Sequence, residues 1–188
     1  MFTHTTHRYH GLLIGLHWLM AGLIVAAYAV IELKGFFPKG SEPRLLMKSI
    51  HYGLGLSVLG FAVLRVLTRL TVQRTTPKHT DAVRPAMPRL QHRLSQSMHW
   101  ALYGFMLAMP VLGWLLLSAK GESVQWFGWS LPMLIAENIT LSDTLEELHE
   151  TLGSIGYALI GLHALAGLWH HYVQRDNRLT RMLPWLKS

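Results

Sequence analysis

The chain has no cysteine, which excludes disulfides, all-thiolate iron–sulfur clusters and the C-x-x-C-H attachment of a c-type haem. Charge is also scarce: Asp, Glu, Lys and Arg make up 14% of the 188 residues against 51% hydrophobic, too apolar for a soluble domain whose surface must be wetted. Acid is the scarcer sign, with 10 acidic residues to 17 basic and a formal charge of +7. A basic excess can mark a nucleic-acid binder. Here, however, the lysines and arginines flank apolar runs and form no stripe interleaved with exposed aromatics, so no nucleic-acid partner is expected. No internal repeat or low-complexity segment is present. The strand-like alternation of a membrane barrel is missing too, which leaves helices as the way to satisfy backbone groups in lipid.

Four apolar runs are present, at about 11–33, 45–70, 99–119 and 148–172, each near the twenty or so residues that cross a bilayer. They predict one all-α domain, an integral membrane four-helix bundle. Pro110 removes a backbone donor from the third run and is expected to bend it. The first run is longer than the apolar region of a signal peptide and reads as a retained span. His4, His7 and His10, before it, read as a solvated tail. Arg74, Lys78, Arg84, Arg89 and Arg93 lie between the second and third runs, and Arg175, Arg178, Arg181 and Lys187 follow the fourth. By the positive-inside rule both termini are then cytoplasmic. The connection carrying Glu122, Glu137, Asp143, Glu146 and Glu147 faces outward. Against that rule, Lys34, Lys39, Arg44 and Lys48 form a basic cluster at the first outer connection.

Within the fourth run His149 and His163 are fourteen residues apart. On a helix that puts them within roughly 40° of one face and about 21 Å apart along the axis, too far to share one ion. Topology assigns depths to the others: His17 lies towards the inner side, level with His163, and His51 towards the outer side, level with His149. Two two-histidine sites result, each joining the fourth span to a different helix. Zinc or copper wants three or four donors, and no acidic residue or cysteine stands within a turn of His17 or His163. Glu146 and Glu150 flank His149, so a small metal site stays open there. Ligation of haem iron needs only the two imidazoles, and the apolar macrocycle fills the space between helices. The pattern therefore predicts two non-covalent, six-coordinate b-type haems. The plain alternative for each histidine is a polar residue satisfied by a neighbouring helix. His99, His170 and His171 read as interfacial, and His79 and His92 as solvated.

Arg65 stands fourteen residues after His51, near the inner level. An unpaired charge at membrane depth costs roughly 3 kcal/mol or more. Haem propionates are one natural partner for Arg65 and Arg69, and snorkelling to the inner headgroups is the other.

Taken together, Leu16-His17-Trp18, the KGFFPK stretch from Lys34 to Lys39, Ile50-His51, Arg65 and Arg69, Trp126-Phe127-Gly128, His149-Glu150-Thr151-Leu152, Gly161-Leu162-His163-Ala164, His170-His171-Tyr172 and Asp176-Asn177 to Arg181-Met182 resemble the bacterial cytochrome b561 family. These are small four-span di-haem proteins of the inner membrane, and the likeness covers nearly the whole chain. The resemblance implies the same four histidine ligands and quinone chemistry, including oxidation of superoxide at the outer face with electrons passed to ubiquinone. Superoxide is an anion, which gives the outer cluster of Lys34, Lys39, Arg44 and Lys48 a candidate steering role; contacts with headgroups or with the acidic connection are the alternative. Two other readings stay open: a cytochrome b subunit relaying electrons for a separate dehydrogenase or hydrogenase, and a haem-free transporter using buried histidines as a proton path.

Overall fold

The structure, a computed structural model, describes residues 11–75, 89–175 and 178–183. His4, His7, His10, Lys78, His79, Arg84, Asp176, Asn177 and Lys187 lie outside the described residues, as do the side chains of Arg74, Arg178 and Arg181. The order is α1 (Gly11–Leu33), a short 3-10 turn (Lys34–Phe36), α2 (Glu42–Thr75), α3 (Arg89–Ala119), β1 (Val124–Trp126), β2 (Trp129–Leu131), α4 (Ile139–Tyr172) and α5 (Arg178–Met182).

The four long helices are each long and apolar enough to cross a membrane. Three overrun the apolar runs: α3 starts about three turns earlier and α4 two to three turns earlier, while α2 gains residues at both ends. At the start of α4 the extra length has a local cause. Asn138 is extended (φ −155°) and its side-chain oxygen accepts from the Leu141 amide at 3.0 Å, satisfying one of the helix's orphan donors. α3 runs through Pro110 as one 31-residue helix.

α1 packs along α2, α2 against α3, and α3 against α4. α1 and α4 meet through side chains. The Tyr28 hydroxyl donates to the Gly153 carbonyl (2.8 Å) and the Tyr157 hydroxyl donates to Glu32 (2.6 Å), while the Trp18 indole of α1 reaches α5, donating to the Met182 carbonyl (2.8 Å). Val25, Leu162 and Leu165 present their side chains outward, as apolar residues do when the solvent is lipid. In α4 the described buried residues are Ser142 and Gly156, so its inward face stands off from α1 and α2 along most of its length.

The connection between α3 and α4 folds as a hairpin. Val124 pairs with Leu131, Gln125 with Ser130 and Trp126 with Trp129. Phe127 and Gly128 both have positive φ (48° and 82°), as a two-residue type I′ turn requires. Val124 is buried with Leu56 and Leu117, Trp126 donates to Ser57 (3.3 Å) and Trp114 to the Pro132 carbonyl (3.0 Å). The hairpin thus lids the loop end of α2 and α3. Phe127 and Trp129 stay exposed at its tip, the aromatic placement expected at a membrane–water interface.

Candidate haem sites

The bundle brings its histidines together at two levels. At the end where α1 begins, His17 of α1 and His163 of α4 face each other with ring centroids 6.2 Å apart and planes at 73°. At the loop end, His51 of α2 and His149 of α4 stand 6.3 Å apart at 83°. Two imidazole nitrogens about 2.0–2.1 Å from one metal, each roughly 1.1–1.2 Å in front of its ring centroid given ring bonds near 1.33 Å, place the centroids roughly 6.2–6.6 Å apart. Both pairs fall in that window. Among the described residues no three His, Cys, Asp or Glu side chains gather as a metal-ion shell. Each level therefore brings two imidazole rings to a separation compatible with ligation of one metal between them.

The loop-end pair is asymmetric. His51 Nδ1 lies 3.0 Å from the Ala27 carbonyl oxygen. A carbonyl only accepts, so Nδ1 carries the proton and the Nε2 lone pair is left for a metal, an orientation typical of metal-ligating histidine. His149 Nδ1 is buried without a hydrogen-bonding partner among the described residues. Its ring is held instead by contact with α3: a Cβ at Gly113 would sit 3.3 Å from His149 Cε1 and 3.7 Å from Nδ1. Midway between the levels, Gly156 leaves room on α4 for the Tyr28 hydroxyl and the Phe105 ring, both of which a methyl group there would overlap.

Arg65 is turned into the bundle. Its Nε donates to the Tyr103 hydroxyl (3.1 Å) and its Nη1 to the Leu13 carbonyl (3.0 Å), and it lies within electrostatic reach of His17 and His163. Arg69 stacks over the Tyr103 ring, 5.9 Å from its centroid, within cation–π range. His99 joins this level as well, its ring 5.6 Å from that of His163 and its Nδ1 2.6 Å from the Ser95 carbonyl. Read from the apolar run alone, His99 marks the mouth of the third span. The polar stretch Gln91 to Ser97 continues the helix and carries His99 well inside it.

The basic residues at the loop end divide by role. Arg44 donates to the carbonyls of Lys34 (3.1 Å) and Phe37 (2.9 Å) and so pins the connection between α1 and α2. Lys48 lines a cleft of about 220 Å³ with Ser49, Tyr52, Glu122 and Gln125. Tyr52 in turn contacts the His51 ring, centroids 6.3 Å apart. Lys120 pairs with Glu146 at 2.6 Å, and Lys34 and Lys48 act on the same carboxylate. Lys39 is exposed beside Gly40, in the turn before α2.

A family profile described as prokaryotic cytochrome b561 matches residues 8–185. The chain is 38% identical over 177 residues to a Yersinia pestis protein named probable superoxide oxidase CybB, covering 94% of this chain and 96% of that one. To the Escherichia coli protein named cytochrome b561 homolog 1 it is 36% identical over 179 residues, covering 95% and 98%. A second Escherichia coli protein, cytochrome b561 homolog 2, is 27% identical over 97% of this chain and 94% of that one. With four membrane-capable helices and a match over almost its whole length, the chain belongs to the prokaryotic cytochrome b561 family, multi-pass membrane electron-transfer proteins for which b-type haem is implied.

Proposed function

We propose that the protein is a di-haem b electron carrier of the bacterial inner membrane, passing electrons from superoxide at the loop end to the ubiquinone pool. In this reading His17 and His163 hold one haem and His51 and His149 the other, with the loop end outside and both termini cytoplasmic. The observation that carries it is the equal opposition of two imidazole pairs, 6.2 and 6.3 Å between centroids, about 21 Å apart along α4. Haem supplies one-electron transfer, and two protein ligands per iron leave no open position for oxygen to bind.

The protein's part is to orient the ligands and shape the field. The Ala27 carbonyl fixes the His51 tautomer, and Gly113 lets His149 lie against α3. Arg65 and Arg69, gathered at Tyr103, put positive charge beside the inner level, where propionates are the natural counter-ions. The donor assignment draws on the Yersinia pestis relative's name, and the acceptor on the quinone chemistry that the family resemblance implies. Lys34, Lys39, Arg44 and Lys48 raise the local concentration of an anionic donor near His51 and Tyr52.

The test uses purified protein. Two haems per chain are expected, falling to one in His17→Ala or His163→Ala and to one in His51→Ala or His149→Ala. Superoxide should then reduce ubiquinone with no added protein. Stoichiometry indifferent to these histidines would overturn the ligand assignment, and a requirement for a second protein would favour a relay subunit. Charge reversal at Lys34 and Lys48 should slow superoxide-driven haem reduction at low salt, with the difference closing as salt rises. Unchanged low-salt rates would remove the steering role.

A further inference from the structure

The connection between α1 and α4 carries a group that electron transfer between haems does not use. Glu32 lies in the last turn of α1 and is exposed, at the loop end of a helix long and apolar enough to cross a membrane. An ionisable residue in a membrane span is expensive unless it has a partner and a use. Its partner is the Tyr157 hydroxyl of α4, which donates to Glu32 Oε1 at 2.6 Å while the Tyr157 side chain stays half exposed on the same surface. The pairing follows from helix geometry. Cα–Cβ bonds tilt towards a helix's N-terminus, so on antiparallel helices the two side chains lean towards each other across the seam. Behind them the Tyr28 ring packs on Tyr157, centroids 4.3 Å apart. Tyr28 follows Ala27, whose carbonyl orients His51.

A carboxylate and a phenol on the exposed seam are thus linked, through Tyr28 and its neighbour Ala27, to the backbone that orients His51. We infer that this seam is where a quinone headgroup docks from the bilayer, with Tyr157 donating to a quinone carbonyl oxygen and Glu32 resupplying the proton. The inference rests on the quinone reading given above and adds its location and its proton path. Reduction of a quinone to a quinol takes two electrons and two protons. Two superoxide anions, each oxidised to O₂, would supply the electrons one at a time, and haem held by His51 and His149 would relay them. One carbonyl oxygen takes its proton from Tyr157, whose O–H bond breaks as a new O–H bond forms on the quinone, with Glu32 re-protonating Tyr157 from water at the loop end; the other carbonyl oxygen takes the second proton from that water.

The experiment uses the haem-loaded protein in lipid nanodiscs, with a ubiquinone bearing one isoprenoid unit and its azido derivative as probes. Photolabelling of the wild type should modify the peptides containing Glu32 and Tyr157. Tyr157→Phe and Glu32→Gln should keep full haem content and slow oxidation of the pre-reduced protein by ubiquinone about 100-fold, the lower end of what a positioned general acid contributes. Tyr172→Phe, at another exposed tyrosine of α4, should leave that rate unchanged. Label on other helices, or wild-type rates in both seam variants, would overturn the site while leaving quinone as acceptor. A wild type that neither binds nor reacts with the quinone would overturn the acceptor itself. Should either variant lose haem, the label position in the wild type decides alone.

Discussion

Replacing Gly113 by alanine should dislodge one haem and spare the other. The added methyl would stand 3.3 Å from His149 Cε1 and 3.7 Å from Nδ1, while carbon atoms prefer about 3.5–4.0 Å. The ring must therefore retreat by roughly 0.2–0.7 Å, whereas metal–ligand distances tolerate about 0.2 Å. Cε1 is bonded to Nε2, so the displacement reaches the ligating atom. Overpacking of this kind costs about 1–3 kcal/mol; if all of it falls on the bound form, haem affinity at the loop end drops about 5- to 150-fold. The assay is haem stoichiometry and redox titration of purified protein, with Gly104→Ala as control because a Cβ there meets nothing within 4 Å. The expected result is a weakened or missing loop-end haem in Gly113→Ala and a full complement in Gly104→Ala. Two haems with unaltered titrations in Gly113→Ala would refute the claim that α3 sets the position of His149.

Two further predictions follow from the same geometry. The imidazole planes are nearly perpendicular at both levels, 73° and 83°, which leaves the iron's two π-type d orbitals close in energy; the oxidised protein should show the highly anisotropic low-spin electron paramagnetic resonance signal, and a rhombic three-line spectrum from both haems would contradict the ring orientations. Arg65→Met removes a positive charge near His17 and His163. The electron-rich reduced haem loses stabilisation, so the inner potential should fall while the loop-end potential barely moves, and equal shifts at both haems would show that the charge acts elsewhere.

The parts of this molecule that follow from periodicity and membrane thickness were legible in the sequence. His149 and His163 repeat at fourteen residues on a helix, and spans that alternate in direction align His17 and His51 with them. What periodicity does not carry had to come from coordinates. The hairpin at Val124 to Leu131 depends on Phe127 adopting a positive φ, unusual for a bulky residue and not signalled by Phe-Gly. His99 opens the apolar run but not the helix, because hydropathy marks where lipid begins, and α3 extends through polar residues to Arg89. Gly113 and Gly156 carry no chemistry of their own, so their importance lies only in what a neighbouring helix places against them.

These two glycines bear on why the loosest-packed helix holds half of the candidate ligands. Along α4, His149, Gly156 and His163 repeat every seven residues and so fall on nearly one stripe. A helix that packed tightly along that stripe would leave no room for a macrocycle at either level, and one that packed nowhere would leave its histidines unplaced. α4 combines the two by meeting the bundle at intervals along the stripe. Gly156 seats Tyr28 and Phe105 midway between the levels, and Ser142 is buried beyond His149 towards the loop end. His149 itself is braced by the backbone surface that Gly113 exposes on α3. Ser142, His149 and Gly156 are thus points of contact spaced about 10 Å apart along α4. A rod held at such intervals keeps both imidazoles at fixed height, and the seam it forms with α1 is exposed at Tyr157.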